Sequence, residues 1–169
     1  VVRALKAGGH AIPVLAAGGI MTGGQMAAMM AAGAQGAWCG SVWLCTPEAE
    51  TSPTFRQKMI EARSRDTVRS KARTGKPARQ LKTAWHEAWD DPNGPGTLPM
   101  PLMGMVSEPS FAHIEKAVVN GNAEAQDLVS YFVGQGVGLV EAERSCRQVV
   151  QDFREEFAEA VLGLNAMLE

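Results

Sequence analysis

Two pairs of small residues, Gly18-Gly19 and Gly40-Ser41, are the part of this sequence best suited to chemistry. Each ends a short apolar run, Val14-Leu15-Ala16 before the first and Gly36-Ala37-Trp38-Cys39 before the second. Runs of this kind fit strands buried on both faces. Glycine after such a strand opens backbone angles closed to other residues. It also leaves no side chain between a ligand and the N–H groups. The second pair leads into Val42-Trp43-Leu44, long enough for one helical turn whose first N–H groups carry partial positive charge. One glycine pair alone reads as a tight turn. Two of them, one repeat apart, predict the binding of a phosphate between the turns.

The elements that must position these turns are legible. Thr22 and Gln25 have the spacing of a capping box. The Ala- and Met-rich stretch 25–32 is a helix, and Gly33 suits the left-handed position just past its end. Strand, helix and strand form a right-handed βαβ unit with parallel strands. Both glycine turns then lie at the C-terminal ends of neighbouring strands, the edge where parallel α/β folds bind ligands.

Seven segments in order carry a family resemblance: Ala16-Ala17-Gly18-Gly19-Ile20, Gly33-Ala34-Gln35-Gly36, the run Gly40 to Glu48, Asp66-Thr67-Val68, the run Thr74 to Arg79, Leu98-Pro99-Met100-Pro101-Leu102, and Gly134-Gln135-Gly136-Val137-Gly138. Together they resemble the C-terminal half of the nitronate monooxygenases, formerly called 2-nitropropane dioxygenases. The resemblance implies an α/β chain that is the C-terminal part of an FMN-binding (β/α)8 TIM barrel followed by a mainly helical extension. It implies FMN as cofactor, with the phosphate held by Gly19, Gly40 and Ser41, the turn shaped by Gly18, and Trp38 and Cys39 beside them at the strand end. Many members carry Thr at the position of Ser41, and either residue keeps a hydroxyl. Trp38 and Cys39 depart more from the common residues. The implied reaction oxidises alkyl nitronates with O2 to a carbonyl compound and nitrite. The alternatives are a related FMN barrel, such as an enoyl-thioester reductase, and a non-catalytic remnant that binds a phosphate ligand.

The family's catalytic base is a histidine in a Gly-Gly-His-x-Gly segment. Here Gly8-Gly9-His10 is followed by Ala11-Ile12 and runs straight into the first strand, so His10 reads as a loop residue. The catalytic residues are unknown from this chain and are expected upstream of Val1. At 169 residues, with few strands and Val in first place, the sequence reads as part of a longer protein. Residues 1–62 are expected to hold the last βα units with the phosphate site, and residues 63–169 a loop-rich, helical extension.

Pro53 opens a helix with Phe55, Met59, Ile60 and Arg63 at helical spacing, expected to be the last helix of the barrel. Residues 63–82 are rich in Lys and Arg but hold no aromatic residue, so they read as a solvated face rather than a nucleic-acid surface, while the resemblance implies a loop closing over the active-site mouth. The spacing predicts a helix over 78–89, with His86 a surface residue. Residues 90–105 hold four prolines and three glycines and predict an irregular wall of the substrate pocket. Two short helices follow, over 110–120 and 123–133. The Gly134–Gly138 turn is either a joint between helices or, by the resemblance, part of the pocket mouth near the flavin. From Glu141 the pattern is helical to the end, with one apolar stripe suited to core packing or a homodimer contact.

A net charge of −2 gives no pull toward nucleic acid or anionic membrane. No apolar run approaches the ~20 residues of a membrane span. Three cysteines, Cys39, Cys45 and Cys146, without a CxxC pair suit reduced thiols in a cytoplasmic protein and no metal site. The expected partner is a small-molecule substrate.

Overall fold

The computed structural model describes residues 1–168. In chain order the elements are α1 (Val2–Ala7), β1 (Leu15–Ala17), α2 (Gly23–Ala31), β2 (Gly36–Trp38), α3 (Pro53–Glu61), β3 (Thr67–Ser70), β4 (Ala78–Leu81), α4 (Ala84–Asp90), α5 (Leu102–Val119), α6 (Ala123–Leu128) and α7 (Cys146–Ala166). Short 3-10 turns lie at Ser41–Cys45, Ser64–Asp66 and Gln135–Leu139. These elements fall into two compact units. One is Val1–Glu50 with the chain from Ala142 onward, and the other is Thr51–Glu141. The expected boundary at residue 62 does not coincide with either junction, because α3 packs with the central unit and α7 returns to the first strands.

In the first unit, β1 and β2 are parallel, with Leu15 opposite Gly36 and Ala17 opposite Trp38. The helix between them starts as its spacing predicts. Thr22 Oγ1 accepts the Gln25 N–H at 3.2 Å. Gln25 Oε1 reaches back to the Met21 N–H at 2.7 Å, one residue earlier than a capping box requires. Gly33, at φ +106°, turns the chain out of α2. The strands are not buried on both faces. Register partners share a face, and the face holding Leu15, Ala17 and Trp38 is exposed, Trp38 to 70%. The opposite face, with Ala16 and Ala37, is half-buried.

Helix α7 begins at Cys146 rather than Glu141, because Ser145 Oγ caps it by accepting the Gln148 N–H at 3.2 Å. It lies on α2 at close range. A Cβ on Gly23 would stand 2.1 Å from the Phe153 carbonyl oxygen and 2.7 Å from the Phe157 nitrogen. The end of its apolar stripe, Val161, Leu164 and Leu168, is exposed.

In the second unit, residues 78–89 are not one helix. Ala78–Leu81 is strand β4, antiparallel to β3 with Thr67 opposite Leu81 and Ser70 opposite Ala78. Residues 130–133, expected to be helical, run along the other edge of β4: Val133 N–H donates to the Arg79 carbonyl at 3.1 Å, and Phe132 bridges Gln80. Two ladders decide in favour of the strand and bury Gln80 and Leu81. The expected helix from Ser110 starts earlier, at Leu102, and runs through Pro109. Met103, Ser107 and Phe111, four residues apart, are buried along it and fix it to the core. The irregular stretch before α5 meets the β3–β4 connection. Gly75, at φ +82°, would place a Cβ 2.4 Å from the Met100 nitrogen and 2.6 Å from the Leu98 carbonyl. The Gly134–Gly138 turn is packed too. Val137 is fully buried, and Ser64 Oγ donates to the Gln135 carbonyl at 2.6 Å.

The basic stretch is not uniformly solvated. Arg73 is 6% exposed, with its guanidinium 4.2 Å from the Phe111 ring centre, 4.9 Å from Tyr131 and 5.2 Å from Phe132. Its Nη1 donates to the Ser130 carbonyl at 3.0 Å, and Nε pairs with Glu108 Oε1 at 3.2 Å. Lys58 spends its ammonium protons on the end of α6, with Nζ 2.9 Å from the Gln126 and Asp127 carbonyls and 3.0 Å from that of Val129.

His86 is buried, not a surface residue, with 1% exposure. Its Nδ1 accepts the Thr83 N–H at 3.2 Å, which leaves the ring proton on Nε2. Nε2 has no hydrogen-bond partner among the described residues. Burial lowers its pKa below 6.5, Arg73 lowers it further, and Asp90 opposes them. The unfolded chain therefore takes up a proton here at a pH where the folded chain does not. Stability is whole above 6.5 and falls as pH drops below it. Urea midpoints taken at about pH 7.5 and about pH 5.5 should differ less for His86→Gln than for the parent chain. An equal difference in both would remove His86 from this account.

Candidate functional site

The glycine turns leave the same end of the β1–β2 sheet, directly after the register pair Ala17 and Trp38. Gly18 and Gly19 have φ of +100° and +72°, angles that disfavour any side chain. Gly40 has φ −115°, open to every residue, so backbone angle does not explain glycine there. Space does. A Cβ on Gly18, Gly19 or Gly40 would meet nothing within 4 Å, so all three turn residues face open room. The N–H groups of Gly19 and Gly40 have no hydrogen-bond partner among the described residues. Two unused donors beside an open space, on adjacent strand ends, suit an anion.

The second turn is held from behind. Trp43 Nε1 donates to the Cys39 carbonyl at 3.0 Å, and Thr46 Oγ1 donates to the Trp43 carbonyl at 2.9 Å. Ser41 opens the 3-10 turn that carries Trp43. Burial pushes the Cys39 thiol above its ordinary range, so at neutral pH it is a thiol and not a nucleophilic thiolate. Gly18, Gly19, Cys39, Gly40 and Ser41 therefore gather at one sheet end, while the Trp38 side chain stands on the exposed sheet face beside Leu15 and Ala17. His10 precedes β1 and so lies at the opposite end of the strand from the glycine turns. Among the described residues no group of three or more His, Cys, Asp or Glu could hold a metal ion. No helix among them is long and apolar enough to cross a membrane.

Residues that support the turns were not visible in the sequence. Glu156 Oε2 accepts the Gly23 N–H at 2.6 Å, at the start of the helix that follows the first turn. Glu48, just past the second turn, accepts the Cys146 N–H with both oxygens at 3.0 and 3.1 Å. The one available signal was Gly23 itself, since glycine inside a helix costs about 1 kcal/mol relative to alanine and calls for a packing reason.

A family model described as nitronate monooxygenase matches residues 1–156. The chain is 51% identical over 158 residues to Rv1533 of Mycobacterium tuberculosis, covering 93% of this chain and 42% of that protein. It is 30% identical over 156 residues to the nitronate monooxygenase of Pseudomonas aeruginosa, covering 90% of this chain and 42% of that one. Among solved structures it is similar to a nitroalkane oxidase from Streptomyces ansochromogenes. The TM-score is 0.75 at 31% identity, over 94% of this chain and 43% of that one. The chain thus spans less than half the length of these relatives.

Proposed function

This chain belongs to the nitronate monooxygenase family, and we propose that it supplies the phosphate-binding part of an FMN-dependent barrel that oxidises alkyl nitronates. The observation that carries the reading is the open room in front of Gly18, Gly19 and Gly40, with the unused N–H groups of Gly19 and Gly40 beside it. Those two donors would take oxygens of the FMN phosphate, and the Ser41 hydroxyl stands next in sequence. Flavin, when bound, supplies the redox chemistry between nitronate and O2. The residues of this chain bind the phosphate end, orient the group against the sheet and keep the second turn in shape through Trp43. No residue at this sheet end is a fit base for a carbon acid: Cys39 holds its proton, and His10 is at the other end of the strand. On this reading the proton-transfer role falls to a group away from this sheet end, and such a group is worth roughly 10²- to 10⁴-fold in rate.

Gly40→Val is the cleanest test. Its φ of −115° admits valine without strain, and its Cβ clashes with nothing, so the fold should stand. The branched side chain would fill the room meant for phosphate. FMN titrated into the purified variant and followed by flavin fluorescence should bind at least about a hundredfold more weakly, the ~2.7 kcal/mol of two lost charge-assisted hydrogen bonds. A variant that binds FMN as tightly as the parent chain would take the phosphate away from this site.

A further inference from the structure

We propose that α7 is a strap that sets the shape and spacing of the two glycine turns, with Glu156 and Glu48 as its positioning residues. The proposal rests on the phosphate reading above for its functional half only. Its structural half stands on hydrogen bonds that cross the first unit. Midway along α7, Glu156 holds the Gly23 N–H at 2.6 Å. Only Ile20, Met21 and Thr22 separate that N–H from Gly19, and Ile20 and Met21 are buried at 6% and 5% exposure. The turn is thus a short span between strand β1 and an anchored helix start. At the other end of α7, Glu48 holds the Cys146 N–H, and the Arg144 N–H donates to the Cys45 carbonyl at 3.4 Å. Cys146 Sγ lies 3.5 Å from Thr46 Oγ1. These contacts fix the segment directly after the second turn. One rigid helix therefore holds the far side of both turns.

The arrangement also assigns the charges. The N-terminus of a helix favours an anion, and at α2 that anion is already Glu156. A ligand phosphate is left with the N–H groups of the turns themselves. A carboxylate that close would repel a dianion, so its benefit must come from the bond it makes and not from its charge. That distinction can be measured.

The experiment compares Glu156→Ala, Glu156→Gln and Glu48→Ala by hydrogen exchange without flavin, and by titration with FMN and with riboflavin, which lacks the phosphate. Glu156→Ala should speed exchange in residues 18–24 and weaken FMN by about tenfold or more, the size of one charged hydrogen bond. Riboflavin affinity should stay within about twofold. Glu156→Gln keeps an acceptor oxygen for Gly23, so it should bind FMN at least as tightly as the parent chain. Glu48→Ala, a variant at the other end of the strap, should speed exchange in residues 39–46. Unchanged exchange in all three variants would overturn the strap. Equal loss of FMN in the Ala and Gln variants would overturn the positioning role, because the Gln variant keeps the acceptor for Gly23. If the parent chain binds riboflavin as tightly as FMN, the phosphate reading fails together with the functional half, whatever the exchange data show for the strap.

Discussion

Gly23→Ala is expected to cost about 3 kcal/mol, the upper range for forcing an atom into a packed core. The added Cβ would stand 2.1 Å from the Phe153 carbonyl oxygen and 2.8 Å from its carbon, both backbone atoms that cannot rotate away. Either α2 or α7 must move as a body. Movement would also stretch the 2.6 Å bond from the Gly23 N–H to Glu156. Gly24→Ala is the control. A Cβ there meets only Thr22 Oγ1, at 4.0 Å. Alanine is also the better helix former by about 1 kcal/mol, so this variant should be at least as stable as the parent. Urea unfolding read by circular dichroism should separate the two neighbours by about 1 M or more in midpoint, given m-values of about 1–3 kcal/mol/M. Equal midpoints would mean that α2 and α7 do not meet at Gly23.

Arg73→Ala should be comparably damaging in the second unit, at about 3 kcal/mol. The ion pair with Glu108 is a small part of this, because that carboxylate is 58% exposed and water already screens it. The larger part is the packing of the guanidinium against Phe111, Tyr131 and Phe132, where each desolvated contact is worth ~1–2 kcal/mol. Truncation also leaves the buried Ser130 carbonyl short of a donor. Glu108→Gln should therefore cost less than about 1 kcal/mol. Lysine at position 73 should recover little, since it lacks the planar fork that stacks on rings and reaches two partners at once. Thermal denaturation of the three variants tests the ranking, and a Glu108→Gln variant as unstable as Arg73→Ala would reverse the assignment.

The features that could be read from sequence are those whose causes are local. Thr22, Gln25 and Gly33 bound α2 by contacts within a few residues, and Ser52 with Pro53 does the same for α3. The glycine turns followed from the strands that precede them. What escaped reading depends on distant partners. Residues 78–81 have helical spacing, yet the ladders offered by residues 67–70 and 130–133 make them a strand. Arg73 sits in a run of like charges that reads as surface, and its covering rings lie 38 to 59 residues further on. His86 reads as a surface residue of a helix, while its burial comes from its place in the fold. Glu48 and Glu156 look like ordinary exposed acids until α7 is laid across α2.

The unit that carries the glycine turns is discontinuous in the chain, and this orders events during synthesis. The Glu48–Cys146 contact closes a loop of 98 residues, and the Gly23–Glu156 contact one of 133. Contacts of such sequence separation form late, because loop closure must precede any gain from them. On the ribosome, residues 51–141 emerge as an unbroken stretch with their own core, and can settle before α7 exists. The two glycine turns would be made well before the helix that fixes them. Through that interval the β1–β2 pair presents Leu15 and Trp38 without the helix that anchors its turns, and nascent chains would be most exposed to wrong pairing then.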